Sequence, residues 1–209
     1  MTVIDLRKEI TINSPAGSGN MFCQFLMEEN FHMRLRWVNH NPDLFDKNGI
    51  NIFILRNPYD CVASGVEVGF YDMNKDQKKY AEKDIDFFIN ESIAAQVDTY
   101  NLFLKSAQGK EYITPVGFRL LTEQPDIFLD KVSKKFDLPF KDNRVSAEDV
   151  KVKMKSVPNI GIRLPRESTS FRAQINKAIK EYPPIKICYN KYVEYKKSID
   201  LHFEDLLEG

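Results

Sequence analysis

The chain has 209 residues and a mass of 24.3 kDa, room for one sizeable domain whose core needs no disulfide or metal staple. Its 30 Lys+Arg balance 30 Asp+Glu at a net charge of +0, which argues against a dedicated nucleic-acid binder and leaves room for a local cationic pocket. Hydrophobic residues at 43% and charged residues at 29% are those of a folded domain and not of a disordered segment.

The N-terminal stretch meets a charge at Asp5, so it forms no apolar leader, and no later run reaches the length of a membrane span. Cys23, Cys61 and Cys188 are odd in number, widely spaced and outside any C-x-x-C or His-bearing cluster. The expectation is reduced thiols, no metal site, no membrane partner and a cytoplasmic location.

Short apolar runs alternate with longer amphipathic ones, the pattern of an α/β domain. Glu9-Ile-Thr-Ile-Asn13 reads as a first strand, broken by Ser14-Pro-Ala-Gly-Ser-Gly19, and a helix follows over Asn20 to Glu29. Leu35-Arg-Trp-Val38 predicts a short second strand and Ile50-Asn-Ile-Phe-Ile-Leu55 a third. Asn57-Pro58 opens a helix, Asn suiting the N-cap and Pro the first helical position. From Asp84 to Lys105 apolar residues recur at intervals of three and four, marking a long amphipathic helix. Tyr112 to Leu121 reads as a fourth strand despite Pro115, and Pro125 to Phe136 as a helix. Residues 143–170 are polar and irregular, and Phe171 to Leu207 is helical with a break at Pro183-Pro184. The sum is a single three-layer domain over 1–209, with a central parallel sheet of about four or five strands flanked by helices.

Two segments carry chemistry. In the first, a strand leads through a glycine-containing loop into a helix at Ile10 to Phe22. A helix opening after such a loop presents unpaired N–H groups and its positive dipole end to a phosphate. Asn20 and Met21 follow Gly19, where a Walker A loop needs Lys and Ser/Thr, so an ATP or GTP hydrolase would lack its two main tools. A plain βα turn with tight glycines fits the same residues, and the loop alone does not choose. In the second, Arg56 ends a strand at the side where open α/β sheets bind ligands. There it can grip a phosphate bidentately or pair with Asp60 on the surface.

Together the segments resemble the sulfotransferase family, which moves a sulfuryl group from 3′-phosphoadenylyl sulfate (PAPS) to a hydroxyl or amine. Arg56, Asn57, Pro58, Asp60 and Ser64 match that family's R-[ND]-P-x-D-x-x-x-S signature in register. Pro15, Ser18, Gly19, Asn20 and Phe22 resemble its first signature, with one extra residue after the proline. Val38-Asn-His-Asn-Pro42 looks like its H-x-P segment, and Gly117 to Pro139 like its Y-E-D-L…F-L-G-L-P run.

The resemblance implies a P-loop NTPase-like sulfotransferase architecture, PAPS as donor and 3′-phosphoadenosine 5′-phosphate (PAP) as product. It assigns Arg56 and Ser64 to the 3′-phosphate. Pro15, Ala16, Gly17, Ser18, Gly19, Asn20, Met21 and Phe22 form the loop for the 5′ phosphosulfate, with Phe22 stacking on adenine and Phe118 near it. His40 becomes the general base for a small-molecule or carbohydrate acceptor. An imidazole with an unperturbed pKa near ~6.5 suits that task. The family also carries Lys or Arg in the first loop, whereas this chain has Ala16 or Gly17 there and neither cation between Lys8 and Arg34. A non-catalytic PAPS- or PAP-binding protein of the same fold is the alternative this leaves. For the enzyme, Arg163 and Arg166 from the lid-like segment 143–170 are the cations in reach by character.

Overall fold

A computed structural model describes residues 8–36, 40–76, 85–157 and 170–199. Four strands, β1 (Glu9–Ile12), β2 (Arg34–Arg36), β3 (Ile50–Leu55) and β4 (Ile113–Gly117), pair in parallel in the order β2-β1-β3-β4. The second strand is thus shorter than expected within the described residues; Trp37 and Val38 lie outside them.

The apolar run of β3 is explained by burial on both faces. Ile52 and Ile54 join one cluster, formed with α1 (Asn20–Asn30), α4 (Phe118–Glu123), α5 (Pro125–Phe136) and α6 (Ala147–Ser156). Phe53 and Leu55 join the other, formed with α2 (Pro58–Asp76), α3 (Ile85–Ala107), α7 (Ser170–Glu181) and α8 (Pro183–Ile199). The alternation follows the two-residue period of a strand and yields three layers, helix, sheet and helix. Asn57 caps α2 as its sequence predicts, its Oδ1 accepting from the Tyr59 amide at 3.0 Å. Along α3, Phe88, Ile89, Ile93, Val97, Tyr100, Phe103 and Leu104 are buried, the stripe that the period marks.

Two expectations are corrected. The predicted strand over 112–121 stops at Gly117, and Phe118 begins α4 instead. Leu120 and Leu121 bury together against the α1 side only if the chain turns helical there. Pro115 is tolerated because β4 is an edge of this sheet, where one row of amides has no ladder partner to serve. The segment 143–170 is not irregular throughout. Ser146 caps α6 by accepting from the Asp149 amide at 3.1 Å, and Val150 and Met154, one turn apart, are buried. Arg163 and Arg166 lie outside the described residues. The helical reading of the C-terminal region holds, with α7 and α8 divided at Tyr182-Pro183; its end, 200–207, lies outside them.

The connection from β1 through α1 leads to β2 on one side, and the chain then crosses to place β3 on the other. The carboxyl ends of β1 and β3 therefore flank a topological switch point, where open α/β sheets form their ligand crevice. Among the described residues, no helix is long and apolar enough to cross a membrane.

Phe53 stacks on Phe103 at 5.8 Å and meets Phe45 and Tyr195 at 6.4 and 6.0 Å. Phe53→Ala is expected to lower stability by about 3–5 kcal/mol in urea unfolding. Phe87→Ala, at a ring 69% exposed on α3, should stay within about 0.5 kcal/mol.

Candidate functional site

The loop leaving β1 is built on close backbone approach. Ser18 N–H bonds to the Pro15 carbonyl at 3.2 Å, and Gly17 and Gly19 take φ of +81° and +87°, where an L side chain is strained. A Cβ on Gly17 would come within 2.4 Å of the Cys61 carbonyl oxygen and 2.7 Å of the Gly65 amide nitrogen. The loop is thus pressed against the first two turns of α2. Cys61 fastens the contact: its thiol donates to the Ala16 carbonyl at 3.2 Å and lies 3.1 Å from Ser18 Oγ. Burial pushes the Cys61 thiol up to about 11, so it is a protonated donor at neutral pH and not a nucleophile. Gly19 is the N-cap of α1 and offers no side chain to the helix's first amides.

Arg56 reaches from the end of β3 into this contact. Its Nη1 donates to the Gly17 carbonyl at 2.5 Å and to Ser64 Oγ at 3.0 Å, while its guanidinium carbon stands 4.2 Å from the centre of the Phe118 ring. The surface pairing with Asp60 is therefore not the arrangement adopted. Tyr100 OH, buried in the core, donates to the Arg56 carbonyl at 2.5 Å and fixes its backbone. Burial pulls the guanidinium pKa down, Arg172 adds to that and Asp60 opposes it; an arginine stays charged under such shifts.

Arg172 is the residue that sequence reasoning missed. From α7 its Nη1 lies 3.3 Å from Ser64 Oγ and 3.0 Å from Glu67 Oε2, so two guanidiniums meet at one hydroxyl. A signal existed. Arg172, Ile175 and Ile179 are spaced by three and four, and both isoleucines are buried, which puts a cation on the apolar stripe of an amphipathic helix.

His40 lies against the same loop. Its Nδ1 is 2.7 Å from the Ser14 carbonyl oxygen and 3.1 Å from Asn20 Nδ2, and Asn20 Nδ2 itself donates to Ser14 O at 2.9 Å. His40 adopts φ +48°, uncommon for a residue with a side chain. The expected set is thus brought together around one loop: Asn20 and His40 contact the Ser14 carbonyl, and Arg56 bonds to Gly17 and Ser64 with Phe118 beside it.

One member differs from its expected role. The Phe22 ring is 8% exposed in the apolar cluster under α1, so it packs the core and presents no open face for a base. Phe118 is half-buried against Arg56 and against Gly19, whose added Cβ would lie 3.0 Å from Phe118 Cε2. His32 is exposed, as its lack of sequence context suggests, and His202 lies outside the described residues. A cavity of about 540 Å³ at the opposite, amino-terminal end of the sheet is lined by Lys8, His32, Asp137 and Pro139 among others. There Lys8 Nζ bonds to the Phe136 and Asp137 carbonyls, satisfying the end of α5.

Comparisons of the chain with protein-family models, with curated proteins and with solved structures each returned no match. The functional reading rests on these residues and their geometry.

Gly17→Ala tests the loop contact. It is expected to destabilise the fold well beyond Gly109→Ala, which shares a positive φ but has nothing within 4 Å of its Cβ position and should cost about 1–2 kcal/mol. Equal losses in chemical denaturation would show that the loop does not bear on α2.

Proposed function

We propose that this protein is a PAPS-dependent sulfotransferase of P-loop NTPase-like architecture. The observation that carries this reading is the convergence of Arg56 and Arg172 on Ser64 Oγ, at 3.0 and 3.3 Å. Two guanidiniums around one hydroxyl, with Glu67 bonded to one of them, match a phosphate monoester that is doubly charged and rich in acceptors. PAPS carries such a group on its ribose; ADP and ATP do not. The amides opening α1, beside the Gly17–Gly19 loop, suit the 5′ phosphosulfate at the other end of the same ligand.

His40 supports the catalytic part. A carbonyl oxygen only accepts, so the 2.7 Å contact with Ser14 O calls for a proton on Nδ1. The neutral ring then has its basic lone pair on Nε2. In the reaction, an acceptor oxygen or nitrogen forms a bond to sulfur as the bond from sulfur to the bridging phosphate oxygen breaks. The electron pair of that bond leaves with PAP, and the acceptor's proton passes to His40 Nε2.

A second reading, binding of PAPS or PAP without turnover, is favoured by one observation. The loop has Ala16 and Gly17 where the family has a cation, and the arginine that reaches it, Arg56, is shared with Ser64. Transfer of labelled sulfuryl groups from PAPS to a panel of hydroxyl and amine acceptors separates the two: binding without transfer supports the second.

By calorimetry, PAP should bind at least about tenfold more tightly than ADP; equal affinities would remove the donor assignment. Arg56→Ala is expected to weaken PAP binding about 10–100-fold, the loss of a charge-assisted bond of roughly 1.5–3 kcal/mol. Arg172→Ala should act in the same direction. His40→Ala should leave PAP affinity within about threefold and remove transfer, and equal effects of the Arg56 and His40 variants would contradict their separate roles.

A further inference from the structure

The turn that opens the loop is held by a residue of α2. Ser18 N–H bonds to the Pro15 carbonyl at 3.2 Å, and Gly17, third of the four residues so closed, takes φ +81°. A positive φ at that position marks a type II turn. Rotating the peptide between Ala16 and Gly17 would convert it to type I and exchange the directions of the Ala16 carbonyl and the Gly17 amide. A glycine at 17 permits both forms.

Cys61 selects between them. Its thiol donates to the Ala16 carbonyl at 3.2 Å, so the Ser18 hydroxyl, 3.1 Å from the sulfur, is the donor to it. The bonds run in one direction, from Ser18 through the thiol to Ala16, and span the two neighbours of Gly17. Ser18 and Cys61 are fully buried, which shields these weak bonds from competing water. The Gly17 carbonyl is taken by Arg56 and the Pro15 carbonyl by Ser18 N–H. Three successive carbonyls are thereby engaged within the protein, and none is left to repel an anion. The Gly17 amide, trans to the Ala16 carbonyl across its peptide, is directed away from α2. Neither it nor the amides of Gly19, Asn20 and Met21 have a hydrogen-bond partner among the described residues, the pattern of an anion-binding concavity.

We propose that Cys61 is a positioning residue for the 5′ phosphosulfate: by holding the Ala16 carbonyl against α2, it keeps the loop's amides and not its carbonyls turned to the anion. This inference rests on the reading of the loop as the 5′ subsite. Cys61 acts through Ala16 and Ser18; it touches no reacting atom.

The test compares three nucleotides by calorimetry: PAP, with anions at both ends; ADP, with the 5′ group alone; and adenosine 3′-monophosphate, with the 3′ group alone. Cys61→Ala should weaken PAP and ADP about tenfold each and change adenosine 3′-monophosphate less than about twofold. Cys61→Ser, whose hydroxyl donates and accepts as the thiol does, should keep PAP and ADP within about threefold of wild type. A purely structural role would weaken all three nucleotides alike, and that result overturns the proposal, as does an unaltered affinity for PAP and ADP. Infrared spectroscopy of the Cys23→Ala/Cys188→Ala protein decides the matter even where Cys61→Ala does not fold. Its one remaining S–H stretch should lie at the lowered wavenumber of a donating thiol, and a band at the free-thiol position overturns the proposal. The donor assignment fails separately. If wild type binds PAP no better than ADP, that reading is lost, while a tenfold loss of ADP in Cys61→Ala still upholds the role of Cys61. A wild type that binds none of the three overturns both.

Discussion

The site depends on one steric fact: the backbone of the loop after β1 lies in contact with the backbone of α2, with no room for a Cβ at Gly17. Glycine stands on both sides, since Gly65 would in turn bring a Cβ within 3.2 Å of the Ala16 carbonyl oxygen. This apposition brings the Gly17 carbonyl within reach of Arg56 and sets Ser18 beside Cys61. A loop one side chain further out would carry the Gly17 carbonyl away from Arg56. Close packing makes such a contact stiff, because interiors give little when volume is added.

Electrostatics then acts on that frame. Arg56 and Arg172 are drawn to one hydroxyl, and like charges so placed raise each other's energy. Glu67, itself largely buried, bonds to Arg172 and offsets part of this. Phe118 lends the face of its ring to Arg56, a contact that stabilises a partly desolvated guanidinium by about 0.5–2 kcal/mol. An anion placed between the two guanidiniums would relieve that repulsion.

Much of this was legible in the sequence, for local reasons. Ile50–Leu55 reads as a strand because six residues without a break can only be buried on both faces, and α3 reads as a helix because its apolar spacing extends for more than four turns. Asn57-Pro58 announces a helix start through the chemistry of its first turn. What stayed hidden depends on the tertiary arrangement. Val150 and Met154 are the two residues that α6 buries, too few to mark it until α1 is present to cover them. The run from 112 to 121 is largely apolar, and apolarity alone does not separate a strand from a strand followed by a helix turn. Arg172 lies 108 residues from Ser64 along the chain, so no spacing rule could join them. Phe22 was matched by its place in a pattern, whereas its direction is set by the face of α1 that meets the sheet.

Under the sulfotransferase function proposed above, the loop without a cation bears on rate more than on fold. Charge builds on the bridging oxygen as the nucleotide leaves, and losing one preorganised donor there costs about 10²–10³ in rate. The α1 amides supply donors to that region at no reorganisation cost, since the helix has already oriented them. They cannot supply a full charge. Arg56, however, already bonds to the Gly17 carbonyl, so a guanidinium is present within the loop as well as at the Ser64 end. One cation serving both ends would have to weaken its hold on the 3′-phosphate as charge grows at the 5′ side, and Arg172 is placed to keep the 3′ hold while it does so. On the reading proposed above, the second arginine is what would free Arg56 to serve a loop of Ala16 and Gly17.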